Sequence, residues 1–457
     1  MRKELKSYAD EAYGIVTTAA NDIGSRLPGS EGEKRFADLM ESKLDAIGVK
    51  PVRERFIVAP RASIGGIPYA GWVGIVGAVL MFVPYFYGLV FFACLATWVW
   101  LVASVFLYKT WFDPCFRQEP SQNVYGEVLP KDGKYKYTVI LSAHLDTSWN
   151  WKHSLSVKKN PAPAFIKMGI GIVAFLFLTV MSLTMFVIAC KYVWLPDTST
   201  VGSAIRVMEM QGVLSQLQVA LYVLLPLFVI PGCFMVTLWA DKNPRTASPG
   251  AMDNATGIGI AYAATKYFVD NPDALPEGCR IINANLGSEE AGLRGSIAFT
   301  KKHKDDDLLG DRCYNINIDS IADEGYYSAI NGDVWQFTKF DKGLENILAE
   351  SIEEVTGQKA IRMQNPVGGC DSTPMTKAGI KSITFAAQHP TLTNYYHTFN
   401  DVAERFSVDT VHTGLDIVLR CVDKIAAAEG VTVKAAPAQV DEAKAEEVAE
   451  PVEDKKD

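Results

Sequence analysis

The sequence predicts an α/β domain interrupted by two apolar helical hairpins, and three observations predict it. First, no charged side chain occurs between Arg61 and Lys109, between Lys167 and Lys191, or between Glu209 and Asp241. Second, β-branched and apolar runs outside these tracts (YTVIL, RIINANLG, YNINIDS) end in polar residues, as buried strands of an open α/β sheet do. Third, the stretch GIGIAYAATKYF has the small residues of a closely packed helix.

Composition sets the bounds. Of 457 residues 49% are hydrophobic and 21% charged, which excludes a disordered chain and a disulfide scaffold. Without the apolar tracts roughly 300 residues remain, enough for one large domain or two small ones. The net charge of −8 argues against a nucleic-acid partner. Half of it falls in residues 431–457, where eight acidic and four basic side chains without aromatics read as a solvated, disordered tail. Three of the eight cysteines (Cys94, Cys190, Cys233) lie in the apolar tracts and the rest lack CxxC spacing, so free thiols in a reducing compartment are expected. The amino-terminal MRKELKSYADEAYGIV is charged and amphipathic, without the apolar core of a signal peptide.

The tract from Gly71 to Tyr108 would extend roughly 57 Å as one helix, about twice a hydrocarbon core of about 30 Å. It reads as two spans turning near Pro84 to Gly88. Met168 to Cys190 fits a third span and Gln218 to Ala240 a fourth, with Pro226 and Pro231 as kinks. Basic residues orient these spans. Arg53, Arg55, Arg61, Lys109, Arg117, Lys152, Lys158, Lys159, Lys167, Lys242 and Arg245 lie on the side of the amino terminus, against only Lys191 and Arg206 in the loop Lys191 to Gln211. This places both termini in the cytoplasm of an integral, multi-pass protein of the cell membrane, with the lipid bilayer as a partner. Gly71, Gly74 and Gly77 permit close helix contact or a homo-oligomer, although not at the four-residue repeat.

Most of the chemistry-bearing residues sit at predicted strand ends or in short loops. YTVILSAHLDTS delivers His144 and Asp146 on one face, so the carboxylate can orient a metal-binding imidazole. SPGAMDNATG places Asp253 at a helix entry, where an isolated Asp is as readily an N-cap. RIINANLG leads into the adjacent Glu289 and Glu290, whose mutual repulsion calls for a cation. YNINIDS carries Asp319, and NYYHTFNDV carries His397 beside Tyr396. Two imidazoles with three carboxylates suit a pair of zinc ions bridged by one carboxylate, with a second Glu as general base.

In this chain order the motifs AHLD, GAMDNATG, EEAGLRGS, NIDS and YHTFND, preceded by RLPGSEGEKRFADLMESKLDAIGV, resemble the M28 family of zinc peptidases, which includes aminopeptidases and glutamate carboxypeptidases. The resemblance runs from about Arg26 to Ala427. It implies a three-layer α/β/α domain with a mixed central sheet, two zinc ions per chain and a peptide substrate. By it, His144 and Asp319 hold one zinc, Glu290 and His397 the other, and Asp253 bridges them; Asp146 supports His144, Glu289 is the catalytic base, and Tyr396 is a candidate to stabilise the oxyanion. The family segment that often reads Ser-Asp-His is here Cys370-Asp371-Ser372, which removes any substrate contact by that His.

The peptidase domain is then expected in three pieces, 1–65, 112–163 and 242–430. They are separated by hairpins at 66–111 and 164–241 and followed by the tail 431–457. An even number of spans between His144 and Asp253 returns both to one side of the membrane. The expected function is an aminopeptidase-type exopeptidase. The alternatives are a related zinc amide hydrolase or aminoacyl cyclase, and a catalytically inactive peptidase-fold receptor or scaffold, against which all five ligands and Glu289 speak. His303, in KKHKDDD, reads as a solvated surface residue, and His389 as a residue bordering the pocket.

Overall fold

Nine strands make one mixed sheet: β1 (Val52–Val58), β2 (Glu119–Val128), β3 (Tyr137–His144), β4 (Cys279–Leu286), β5 (Cys313–Ile321), β6 (Tyr327–Asp333), β7 (Thr338–Lys339), β8 (Ile361–Asn365) and β9 (Lys381–Ala387). They belong to a computed structural model that describes residues 2–241, 243–310 and 312–431. The acidic tail beyond Val431, and Lys242 of the basic count, lie outside the described residues. In space the order is β1-β2-β4-β3-β5-β9-β6-β7, with β8 beside β6. The central β4, β3, β5 and β9 run parallel, and antiparallel pairs flank them. β3 and β4 are buried along their whole length, which is why their sequences run on without strict alternation.

Helices cover both faces. Lys6–Thr17, Glu31–Ala46, Gly257–Asp270, Lys342–Thr356 and Val408–Ala428 pack on one side, around a core that includes Ile15, Phe36, Ile258, Leu348 and Leu415. Arg294–His303 and Ser372–Lys377 close the other, over Ile140, Ile282, Phe299 and Met375. The result is the three-layer α/β/α arrangement expected.

The RLPGSEGEK segment does more than begin a helix. Ser30 caps Glu31–Ala46 by accepting the amide of Glu33. Arg26 is fully buried, lies over the Phe36 ring, and donates to the carbonyls of Leu145, Pro249 and Gly250 at 2.9, 2.6 and 2.8 Å. It thereby ties the loop after His144 to the loop before Asp253. Burial lowers its pKa to about 10, which leaves it charged at neutral pH. Arg26→Ala strands these carbonyls, and the loss of charged hydrogen bonds is expected to cost at least about 3 kcal/mol. A clear fall in thermal midpoint in detergent should follow; an unchanged midpoint would contradict this role.

Among the described residues three helices are long and apolar enough to cross a membrane: Pro84–Phe106, Ala162–Trp194 and Val201–Thr237; the first tract adds a shorter apolar helix, Ile64–Leu80. They share a core of their own, with Tyr87, Cys94, Phe175, Leu178, Leu221 and Cys233 at its centre. The glycines of the first tract serve contacts inside this bundle: a Cβ on Gly71 would meet Cys233 and Thr237, and one on Gly74 would meet Cys233 and Phe175. Large side chains such as Val76, Leu89, Phe92, Val173 and Leu227 are exposed around the outside.

Two expectations need correction here. The connection Lys191 to Gln211 is mostly helical, because Ala162–Trp194 runs on past Lys191 and the next helix begins at Val201. Thr200 and Ser203 form a reciprocal capping box there, and Arg206 and Glu209 sit within the helix. Hydropathy marks where a helix is apolar, whereas caps mark where it starts. His303 is buried, not solvated: its ring bonds Glu54 at 2.8 Å and Asp306 at 2.6 Å and lies against Phe299. It shares the inward side of its helix with Phe299, four residues back, while its lysine neighbours face out.

Candidate metal centre

The parallel strands end on one edge of the sheet, and the candidate residues lie along it. His144 is the last residue of β3 and Asp319 lies near the end of β5. Glu289 and Glu290 follow β4 through Ser288, held at φ 55°. His397, at φ 54°, comes from the long loop after β9. Asp253 enters from the turn before Gly257–Asp270. Such positive φ values are uncommon for these residue types, and they gather where the loops must turn side chains inward.

The geometry centres on Asp253. One of its carboxylate oxygens lies 3.0 Å from His144 Nε2 and the other 3.0 Å from His397 Nε2. Asp319 lies 3.8 Å from His144 Nε2, and Glu290 lies 3.2 Å from His397 Nε2. His144, Asp253 and Asp319 form one group able to hold a metal ion; Asp253, Glu290 and His397 form a second. All five sequence-predicted donors are thus brought together, and Asp253 is common to both groups.

A second layer fixes them. Asp146 lies 3.4 Å from His144 Nδ1 and accepts the amides of Glu289 and Glu290, both at 2.9 Å. Asp401 accepts the amides of Met252 and Asp253 at 2.8 and 3.1 Å. Asn254 donates to Ile318 O and accepts the Ser320 amide, which holds the Asp253 turn against the end of β5. On its far side Ser288 donates to Glu33, buried beneath it. Asp401, Asn254 and Glu33 were not singled out from sequence; a buried carboxylate accepting main-chain amides carries no spacing signal.

The donor set fits a cation. Buried charges need a partner or a metal, and here three donor carboxylates and Glu289 surround two imidazoles. Burial lifts Glu290 to about 8 despite the opposing pull of His397, and lifts Asp319 to about 6 against His144. Burial would raise Asp253 as well, but hydrogen bonds from both imidazoles bring it below the usual carboxylate range. Glu290 Oε1 and His397 Nδ1 are buried without a hydrogen-bond partner among the described residues. An oxygen held 3.2 Å from an imidazole nitrogen, yet unbonded, suits an ion between them. Nitrogen and carboxylate donors without thiolates agree with zinc.

Glu289 belongs to neither donor group. It is the one member of the cluster besides Asp319 that stays partly accessible. Burial holds its carboxyl well above the ordinary range, opposed by His144 and reinforced by Glu290, Asp371 and Asp319. Tyr396 stacks on His397 with ring centroids 3.8 Å apart, and Trp151 meets His397 edge-on at 4.6 Å while its amide donates to His397 O. Cys370-Asp371-Ser372 turns inward, with Asp371 accepting from Ser296 at 2.5 Å and Cys370 bonding Asp333. His389 packs on Tyr326, and its amide donates to Asp323.

Comparison with known proteins agrees. Peptidase family M28 matches residues 236–422, a stretch that holds Asp253, Glu289, Glu290, Asp319 and His397. Fold, donor set and family match together are similar to those of M28 zinc metallopeptidases, which are hydrolases. Among solved structures, a zinc aminopeptidase of Bacillus subtilis is similar with TM-score 0.52 at 15% identity, over 93% of this chain and 96% of that one. An aminopeptidase of Aneurinibacillus sp. strain AM-1 has TM-score 0.50 at 12% identity, over 91% and 93%. A glutaminyl cyclase of Bacteroides thetaiotaomicron has TM-score 0.50 at 14% identity, over 91% and 97%. At these identities the likeness is one of fold. No curated protein sequence matches the chain.

Proposed function

We propose that the protein is a membrane-embedded di-zinc exopeptidase of the aminopeptidase type. The observation that carries this is Asp253, whose two oxygens each face a different histidine. His144 and Asp319 would hold one zinc, Glu290 and His397 the other, with Asp253 shared. When bound, zinc supplies Lewis acidity to the scissile carbonyl and lowers the pKa of water from about 15.7 toward about 7. The chain supplies the rest. The Glu289 carboxylate takes the proton of the attacking water and returns it to the leaving amine. Asp146 holds both the His144 ring and the Glu289 backbone, so base and ligand keep one geometry. The Tyr396 hydroxyl donates to the oxygen on which negative charge develops.

The exposed apolar girdle and the three long apolar helices support insertion in a bilayer, and the basic residues near their ends support a cytoplasmic peptidase domain. Cys115 is exposed on the peptidase side, so it serves as a native reporter. In intact cells an impermeant thiol reagent should label a Thr200→Cys variant and spare Cys115; the reverse pattern would put the peptidase outside.

Activity tests the function. The detergent-purified protein with zinc should shorten peptides that have a free amino terminus and leave acetylated ones intact. Cyclisation of an amino-terminal glutamine without chain cleavage would instead assign the chain to cyclase chemistry. Inertness toward every peptide would favour the non-enzymatic alternative.

A further inference from the structure

Tyr108 follows the apolar helix Pro84–Phe106 by two residues, yet it lies inside the peptidase domain. It is 7% exposed, at φ 52°, and its carbonyl is pinned by Arg294 Nη1 at 2.8 Å. Its ring bridges two loops of the metal centre. A Cβ on Gly292, two residues after Glu290, would stand 3.2 Å from Tyr108 Cδ1. A Cβ on Gly369, two before Asp371, would stand 2.9 Å from Cε2, and one on Gly368 would stand 3.4 Å from the hydroxyl oxygen. Glycines at these three positions leave the width the ring occupies.

The hydroxyl is the informative atom. A buried tyrosine hydroxyl normally finds a hydrogen-bond partner. That of Tyr108 bonds none of the described residues, and it is not among the fully enclosed polar atoms. Burial raises its pKa well above the ordinary value, and Glu289, Asp333 and Glu290 raise it further, so it stands as a neutral donor within the field of the catalytic pair. Glu289 is partly accessible and near enough to act electrostatically on the Tyr108 hydroxyl.

We propose that Tyr108 is a specificity-determining residue contributed by the membrane insertion: its ring closes the side of the substrate cleft next to Glu289, and its hydroxyl donates to a main-chain carbonyl of a bound peptide. The ring limits the side chain accepted there, so substrates with small side chains beside the scissile bond are the favoured class. The inference rests on the exopeptidase assignment above and adds which peptides it takes.

The experiment compares wild type, Tyr108→Phe and Tyr108→Ala, each zinc-loaded in detergent, on tripeptide amides with amino-terminal alanyl, leucyl or phenylalanyl residues, which carry main-chain carbonyls beyond the scissile one, with zinc content and thermal midpoint recorded. Tyr108→Phe keeps the ring and loses one uniform contact, so KM should rise about fivefold to tenfold on every substrate at little changed kcat. Tyr108→Ala opens the pocket, and the kcat/KM ratio of phenylalanyl to alanyl amide should rise by about tenfold or more. If an active wild type and its zinc-replete, folded variants share one ratio and one KM, the Tyr108 assignment is overturned and the peptidase assignment stands. Should Tyr108→Ala fail to fold, Tyr108→Phe decides alone, and an unchanged KM overturns the assignment. A wild type that cleaves none of the three overturns the exopeptidase reading and this inference with it.

Discussion

Glu289→Gln is expected to keep its zinc and its fold and to lose at least about a hundredfold in turnover, the contribution of a positioned general base. The neighbouring Glu290→Gln should behave differently, weakening zinc binding, because Glu290 belongs to a donor group and Glu289 does not. Both side chains leave the same short turn, whose two amides are fixed by Asp146. Neither substitution disturbs those backbone bonds, so the pair isolates side-chain role from loop placement. Zinc content measured beside kcat separates the two; variants indistinguishable in both would show the roles to be wrongly divided.

Asp253→Ala should be more severe. Asp253 is shared by both donor groups, so its loss is expected to release one zinc and loosen the other, with activity falling about a thousandfold or more. Its backbone amide is held by Asp401, which leaves the turn intact without the carboxylate. Metal analysis and thermal midpoint together check this. A variant with undiminished zinc would remove Asp253 from the centre.

The features legible in the sequence are local ones. A strand such as Tyr137–His144 announces itself by an apolar run closed by polar residues, because parallel strands buried on both faces deliver their functional groups at one end. His144, Glu289, Glu290 and Asp319 were found that way, Asp253 and His397 from the short motifs GAMDNATG and YHTFND, and the fold brings all six together. Contacts between distant segments left no pattern. Arg26 reads as one basic residue before a helix, yet it joins the segments after Leu145 and before Gly250 across the chain. Trp151 carries no signal in the sequence and Tyr108 reads only as the last residue of an apolar tract, yet the fold turns one against His397 and the other between Gly292 and Gly369. His303 misled because charge in the neighbouring sequence says nothing of which way a single ring on that helix points.

The most direct test of a two-metal centre is a zinc titration of metal-stripped protein in detergent, with bound zinc and peptide hydrolysis followed on the same samples. Two imidazoles and three carboxylates sharing Asp253 predict saturation near about two zinc ions per chain, with full hydrolysis only as the second is taken up. Full hydrolysis at one bound zinc, unchanged by more, would contradict the shared-carboxylate centre.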